Sequence, residues 1–499
     1  MKFFPILSTQ EAKDFEQNIF NGDESLELGA IQLVSNGIVN LFTQNFKSYK
    51  NNAKRVLFLI GKGHNSADIL CAFNQISEFL GEKTLFYFCL CHEKDSFRNN
   101  TKKLYENFVE GKKNVIVLNA QKIDSIKNLN FEFSFEAIAG MNFKQPVPEE
   151  LQYLAKIVNS MSIEKMISID VPFGVSEDFC DCVINADYTY ACGIMKKSLF
   201  LEKNKENVGR IRFINIGFFD SDLEKKDLFC AKESLTKLIP SRKSFSDKRS
   251  FGHLFIIGGS RKYKGAVMLN TKAGLRSSAG LVSVFLPESL GASFAAIEPS
   301  AIFVDCPETP LGGISLETIS QFKSLSKNAT AVLIGSGFTD EAECRALICE
   351  IIKNTTCPIV LDADAIFKES LELLKDRKNA IITPHIGEFL RIAKDDSDES
   401  LLELAKKYSI TVLLKSNIMR VCDGEKIVRV CSGTPALARG GSGDILSALV
   451  AGLLSNKSLN LSPLEAASYG AFILGDAGEK ASQIHGEYFL TSSDIISFL

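Results

Sequence analysis

Gly440-Gly441-Ser442-Gly443-Asp444, running into ILSALVAGLL at 445–454, is the stretch on which the fold reading turns. The second part is apolar almost all round, so it reads as a helix buried inside a domain. A glycine-rich turn entering such a helix presents backbone N–H groups and the positive end of the helix dipole to an anion. Asp444 falls in the first turn, placed to take a proton from a hydroxyl attacking a phosphorus atom, as phosphoryl transfer requires. A second reading makes Asp444 an N-cap and the glycines packing devices. The five residues alone leave the two open.

Working outward, short apolar runs fit for buried strands alternate with longer, charged, helix-like segments. Before residue 440 they are HLFIIGG (253–259), LVSVFL (281–286), TAVLIGSG (330–337), PIVLDAD (358–364), NAIITP (379–384) and ITVLLK (410–415). The first half carries the same alternation in RVLFLI (55–60), TLFYFCL (84–90), NVIVL (114–118), FSFEAIA (133–139), MISID (166–170) and RIRFINI (210–216). This pattern implies parallel sheets covered on both faces. Ligands are then expected beyond the carboxyl ends of the strands. The charged stretch Phe218 to Lys237 reads as a connector with a short helix, and Pro240 marks entry to the second domain. The expected division is 1–218, a linker at 219–240, and 241–499.

Composition excludes several classes. The 499 residues are 45 % hydrophobic and 23 % charged, which is ordinary globular usage. A formal net charge of -3 leaves no electrostatic footprint for nucleic acid. The longest apolar stretch, Ile445–Leu454, is far short of the ~20 residues that span a bilayer. The amino terminus lacks the pattern of a signal peptide, so a cytoplasmic protein is expected. The 13 cysteines include the pairs Cys89/Cys91 and Cys180/Cys182, which lack CxxC spacing and read as reduced structural thiols.

Other strand ends of the second half carry chemistry-bearing residues. Gly335-Ser336-Gly337 lets backbone approach a ligand. Asp362-Ala363-Asp364 pairs carboxylates that suit Mg²⁺, or that cap the next helix. Thr383-Pro384-His385 precedes Gly387 and Glu388, and Lys415 ends a strand where a nucleotide phosphate would suit it. Gly258-Gly259-Ser260 is not a P-loop, since no GK[ST] follows. The order GHLFIIGG, KGA, GSG, DADA, TPHIGE, LLKSN, GGSGD and LTSSD resembles the ADP-dependent NAD(P)H-hydrate dehydratases of the ribokinase-like superfamily, over roughly 242–499. That resemblance implies Ala266, Gly337, His385 and Asp444 as substrate contacts. It also implies Lys415, Ser416, Asn417, Ile418, Met419 and Gly443 as the nucleotide site. Gly440, Gly441, Ser442 and Gly443 would form the anion hole. Two motifs depart: GSGFT stands for the family's GPGLG, and LKS for LKG.

The first half resembles the NAD(P)H-hydrate epimerase domain over about 1–218. The likeness rests on Gly61 to Asp68, the strand end Ile169-Asp170-Val171-Pro172, and Ala186-Asp187 ahead of Lys196. It implies His64, Asn65, Ser66, Ala67, Asp68 and Asp170 around the substrate, with Asp170 as acid/base. The family's GNNGGDG becomes GHNSADI here. The Cβ atoms added at 66 and 67 would push the backbone away from a dinucleotide's phosphates or demand strain at positive φ. The potassium ligands implied by the family would be Asn65, Glu136 and Phe173, and Phe offers no side-chain oxygen. The turn after Glu136 is altered too, to Gly140-Met141-Asn142.

The fold class expected is therefore α/β, with two three-layer α/β/α domains. The first would be Rossmann-like and epimerase-type, the second ribokinase-like. The function implied is ADP- or ATP-dependent dehydration of hydrated NADH or NADPH with Mg²⁺, coupled to epimerisation of the R and S hydrates with K⁺, in a homo-oligomer. Read from the residues alone, the rival is a ribokinase-like small-molecule kinase with a non-catalytic amino-terminal dinucleotide-binding or assembly domain.

Overall fold

The computed structural model describes residues 3–219, 224–236 and 244–499. By contacts the chain divides into two compact units, Pro5–Ser221 and Asp222–Leu499, the latter with Met1–Phe4.

The first unit contains β1 (Phe4–Leu7, its last residues), β2 (Arg55–Ile60), β3 (Leu85–Leu90), β4 (Val115–Asn119), β5 (Asn130–Ala137), β6 (Ser162–Ile169), β7 (Tyr188–Cys192), β8 (Met195–Lys196) and β9 (Arg210–Ile214). Seven of them form a wholly parallel sheet in the order β4-β3-β2-β5-β6-β7-β9. Alternate side chains of β2 enter two cores. Val56, Phe58 and Ile60 pack with Ile31, Val34 and Ile38 of the helix Glu24–Asn45. Leu57 and Leu59 pack with Leu151, Leu154 and Val158 of the helix Glu149–Ser160. A strand apolar on both faces is what a helix-covered parallel sheet requires, and it makes three layers. Phe58 stacks on Phe88 with ring centroids 4.6 Å apart.

The second unit contains β10 (Asp227–Cys230), β11 (His253–Ile257), β12 (Leu281–Pro287), β13 (Ile302–Cys306), β14 (Ala331–Ile334), β15 (Ile359–Leu361), β16 (Ala380–Ile382), β17 (Thr411–Leu414), β18 (Met419–Cys422) and β19 (Ile427–Val430). Their order is β13-β12-β11-β14-β15-β16-β17-β18-β19-β10, parallel except where β18 runs antiparallel to β17 and β19. Leu254 and Ile256 face a core that includes the helix Ser442–Ser455, whose Ile445 to Ala451 are all buried. Phe255 and Ile257 face the opposite core. Both units are thus three-layer α/β/α, as the alternation of runs predicts.

In each sheet the strand order reverses once at a pair of neighbours, β2/β5 and β11/β14. Such reversals open a crevice beyond the strands' carboxyl ends. The motifs Gly335-Ser336-Gly337, Asp362-Ala363-Asp364, Thr383-Pro384-His385 and Lys415 lie at these ends in the second unit, and Gly61 to Asp68 and Asp170 in the first.

The stretch expected as a linker, 219–240, differs from expectation in part. Asp227–Cys230 pairs in parallel with β19 and is a strand of the second sheet. Arg429 on β19 fixes it, with Nε 3.1 Å from Asp227 and Nη2 2.6 Å from Asp398. Two charged residues flanking a four-residue strand hide it from a hydrophobic pattern. Pro240 and residue 242, where the second-half likeness begins, lie outside the described residues. All thirteen cysteines are free thiols. No helix among the described residues is long and apolar enough to cross a membrane.

Candidate functional site

In the second unit the glycine turn excludes the N-cap reading of Asp444. Gly441 is the N-cap of Ser442–Ser455, with φ 95°, and no side chain caps the helix. Asp444 is the third helical residue, so it is not the N-cap, and no side chain takes up the first amides of the helix. An added Cβ at Gly441 would strike Leu269 and come within 3.1 Å of Ser492 Oγ, so glycine is required there for both φ and space. Two side chains anchor the turn from distant sequence. Ser492 Oγ, in LTSSD, donates to the Gly440 carbonyl at 2.7 Å. The fully buried Asn270 donates through Nδ2 to the Asp444 carbonyl at 2.7 Å. Nothing in the sequence pattern marks Asn270, since it lies mid-helix among apolar neighbours.

Asp362, only 2 % exposed, organises the charged centre. Its Oδ1 accepts from Lys415 Nζ at 2.9 Å and from Thr383 Oγ1 at 2.8 Å, and Oδ2 accepts from Ser336 Oγ at 3.3 Å. These residues come from the ends of β14, β15, β16 and β17, so the parallel sheet itself assembles them. Burial and the Asp362 carboxylate push Asp444 up to about 7, against the pull of Lys415 and the Ser336 hydroxyl. Burial disfavours the charge on Lys415, but Asp362, Glu388 and Asp444 outweigh it and its pKa rises. A Cβ on Gly443 would sit 3.3 Å from Lys415 Nζ, which places the amine against the glycine turn. Ser416, Asn417 and Ile418 form the turn from β17 into β18, where Met419 begins the next strand, so five of the six residues expected at a nucleotide site, Lys415 to Met419, are contiguous at this edge.

A cleft of about 650 Å³ adjoins this centre, lined by Tyr263, Ala266, Leu311, Gly337, Phe338 and Asp364 among others. Gly337 has φ 73°, and a Cβ there would meet the Tyr263 carbonyl at 2.8 Å and Ala266 Cβ at 3.1 Å. Two expected substrate contacts, Ala266 and Gly337, therefore share one wall, with Tyr263 beside them. His385 is not among the cleft residues. It caps the short helix Ile386–Phe389, where His385 N donates to Glu388 Oε2 at 2.8 Å, and its side chain is 55 % exposed.

The paired reading of Asp362 and Asp364 as joint Mg²⁺ ligands is corrected. Ala363, at φ 47°, turns the chain between them. Asp362 is engaged by Lys415 and Thr383, while Asp364 lines the cleft with no hydrogen-bond partner among the described residues. Burial, then Glu388, Asp340 and Asp362, raise the pKa of Asp364. Among the described residues no group of three or more His, Cys, Asp or Glu side chains forms a metal cage. One free hard carboxylate fits a magnesium ion brought in on nucleotide phosphates rather than held by protein alone.

In the first unit a small cavity of about 60 Å³ lies at the β2/β5 reversal, lined by Glu16, His64, Asn65, Asp68, Asp170 and Cys192 among others. Asp170 follows β6 at φ 72°, a conformation that non-glycine side chains rarely adopt and that concentrates at functional sites. Its Oδ1 forms an ion pair with Lys196, which is 1 % exposed, and accepts from Cys192 N at 3.3 Å. Lys196 Nζ also donates to the Cys192 carbonyl at 3.1 Å. Asp68 is buried, and burial followed by the Asp170 and Glu16 charges holds its carboxyl well above the usual range. His64 sits between Arg98 Nη1 at 2.8 Å and Glu27 Oε2 at 3.2 Å, and burial lowers its pKa.

Two readings for this unit meet the geometry. Ser66 and Ala67 carry no strain: they lie in the first turn of the helix His64–Leu80, and no residue of 64–69 has positive φ. Ser66 Oγ instead donates to the Ala137 carbonyl at 2.7 Å, tying the loop to β5. The expected potassium set does not fit an ion. Glu136 Oε1 accepts from Ile138 N at 2.8 Å and Oε2 from Phe173 N at 3.1 Å, so both oxygens are held by backbone amides. Burial pushes Glu136 up to about 7 despite those amides. The Phe173 ring packs against Phe143 at 5.3 Å, and Asn65 Nδ2 donates to the Ile169 carbonyl at 2.8 Å. Glu16, from the helix Thr9–Phe20, is the functional candidate that sequence reading missed. That helix is charged throughout, and nothing in its pattern singles out one glutamate.

Comparison with known proteins agrees with this division. Residues 254–499 match the family described as NAD(P)H-hydrate dehydratase, and residues 29–198 that described as YjeF-related protein N-terminus. A bifunctional NAD(P)H-hydrate repair enzyme of Methanothermobacter thermautotrophicus is 31 % identical over 389 residues, covering 75 % of this chain and 72 % of the relative. That of Moorella thermoacetica is 26 % identical over 483 residues, covering 93 % and 89 %. An ADP-dependent (S)-NAD(P)H-hydrate dehydratase of Nitrosopumilus maritimus is 34 % identical over 279 residues, covering 53 % of this chain and 95 % of the relative. Matched in both units and along most of its length, the chain belongs to the bifunctional NAD(P)H-hydrate repair enzymes.

Proposed function

We propose that the protein repairs hydrated nicotinamide nucleotides. The second unit takes the S hydrate of NADH or NADPH and ADP, and yields the dihydronicotinamide, AMP and phosphate. The first unit interconverts the R and S hydrates so that both reach the dehydratase. The observation that carries the reading is Asp444, an acid poised near neutrality within the first turn of an uncapped helix whose glycine turn faces Lys415.

Asp444 as carboxylate accepts the proton of the ring hydroxyl as its oxygen attacks the β-phosphorus. The Gly440–Gly443 amides stabilise the negative charge that develops on the phosphoryl oxygens, which is where preorganised donors contribute most. Lys415, shared between Asp362 and the nucleotide, holds the diphosphate at the β17 edge. Ala266 and Gly337 leave room for the substrate ring, and His385, exposed at the β16 end, reads its polar rim. Mg²⁺, when bound on the nucleotide phosphates, neutralises their charge, and Asp364 is the carboxylate that would face it. Elimination of phosphate from the phosphorylated hydrate then restores the dihydronicotinamide.

In the first unit Asp170, oriented by Lys196 and the Cys192 amide, moves a proton at the hydrated carbon. His64, Asn65 and Asp68 line the approach from the β2 end, with Ser66 and Ala67 shaping the loop behind them.

The test mixes purified protein with separated S and R hydrates of NADH, Mg²⁺, and ADP or ATP, and follows return of dihydronicotinamide absorbance. Recovery from S establishes the dehydratase and its phosphate donor. Recovery from R faster than spontaneous epimerisation establishes the epimerase. Folded protein that recovers neither contradicts the proposal.

A further inference from the structure

The cavity of the first unit holds more acid than its expected chemistry uses. Glu16, Asp68 and Asp170 all line it, with Lys196 the buried cation paired to Asp170. Among the described residues, no hydrogen bond or ion pair engages the carboxyl of Glu16 or of Asp68. Three carboxylates beside one ammonium in a poorly solvated space cannot all be ionised, so the cluster retains protons. Asp170 is the member engaged by donors, since it alone has Lys196 and a backbone amide as partners. The proton is left to the carboxyls without partners.

We propose that Glu16 is a second catalytic residue of the epimerase centre, the acid that protonates the departing hydroxyl of the hydrate while Asp170 serves as base. This assignment rests on the epimerase reading given above. Titratable groups whose environments push them apart mark an acid and a base sharing one site. Burial raises Glu16 to about 7, opposed by Lys196 and supported by Asp170, so it carries a proton through much of the neutral range. The charged groups around it are Lys196, Asp170, Asp68, Arg98 and Glu27, with His64 held between the last two.

The step balances without a co-reactant. Glu16 O–H gives its proton to the ring hydroxyl, the C–O bond breaks with its electron pair, and water leaves. The lone pair of the ring nitrogen stabilises the carbon cation. Water then adds to the opposite face, forming the new C–O bond, and its proton passes to Asp170. Transfer of that proton from Asp170 to the Glu16 carboxylate restores the cluster.

The test uses the full chain and the R hydrate, with dehydration of the S hydrate by the second unit as an internal control. Glu16→Gln lowers the epimerisation kcat by about tenfold or more and removes the ionisation near neutrality from its pH profile. Glu16→Asp, which keeps the carboxyl but shortens its reach, restores part of the rate and the ionisation. Dehydration of S is unchanged in both variants. An epimerisation rate within twofold of wild type in Glu16→Gln overturns the assignment and leaves the epimerase reading standing. A slowed rate with an unchanged pH profile, or no rescue by aspartate, overturns it in favour of a structural role. Wild-type protein that does not epimerise at all removes the reading and this proposal together.

Discussion

Both units place an aspartate–lysine pair beyond the carboxyl ends of parallel strands, yet the surroundings differ. In the second unit Lys415 and Asp362 stand next to a helix amino terminus that no side chain caps, and a cleft lined by Gly337 and Asp364 lies at the same strand ends. On the proposed function the lysine there exchanges a carboxylate for a phosphate. In the first unit Lys196 and Asp170 form a buried pair, and Asp170 lines a small cavity with two further carboxyls. On the proposed function, the same pair serves anion binding in one unit and proton placement in the other. What decides between them is access and the neighbouring donors, not the pair itself.

The sharpest way to break this comparison is Asp444→Asn. Dehydration is expected to fall by about 10²–10⁴-fold, while epimerisation in the other unit is retained. The variant also has a stability signature. In the folded state Asp444 holds its proton up to about 7, whereas the unfolded chain releases it near the ordinary aspartate value. Wild-type stability therefore declines as pH rises across that window, and the asparagine variant is spared the loss. Its melting temperature should exceed wild type above pH 7, by as much as about 4 kcal/mol of stability, with little difference near pH 4. Scanning calorimetry at the two pH values checks the sign.

Lys415→Met comes next. It leaves Asp362 buried without its cation, which costs about 3–5 kcal/mol for a buried pair. Denaturant unfolding measures the loss, and ADP titration should show weakened binding. An unchanged ADP affinity would confine Lys415 to a structural role and weaken the contrast with Lys196.

The residues of the second centre were largely legible because each lies directly after an apolar run, where a parallel sheet must present it. GSG, DAD, TPH and LLK are all of this kind. Asn270 and Ser492 were not legible as anchors, because their importance comes from one hydrogen bond each to a carbonyl far away in sequence. The strand β7 (YTYAC) and the pair β18 and β19 escape a hydrophobic pattern through their hydroxyls, charges and shortness. β10 lies in a charged connector and is recognisable only through its pairing with β19. In the first unit the altered loop at Ser66 and Ala67 suggested strain because the family's glycines suggest unusual φ. A helix that begins at His64 removes that requirement. Glu16 became visible only when folding placed it opposite Asp170.

Smaller effects sharpen the account. Ser492→Ala releases the Gly440 carbonyl and should cost about 1 kcal/mol, with a several-fold drop in dehydration kcat and little change in KM. Steady-state kinetics separates these from a general loss of fold. Replacing K⁺ by Na⁺ should change epimerisation by less than twofold, because the carboxyl oxygens of Glu136 are already held by the Ile138 and Phe173 amides. A strong potassium requirement in that assay would show that the ion finds other oxygens.

The most direct test of the central claim is the fate of the phosphate. The S hydrate of NADH is incubated with the protein, Mg²⁺ and ADP, and dihydronicotinamide, AMP and free phosphate are quantified together. The account predicts one of each per hydrate consumed, with the reaction stopped by Asp444→Asn. A stable phosphoester without recovery of the dihydronicotinamide would contradict it and return the second unit to the small-molecule kinases.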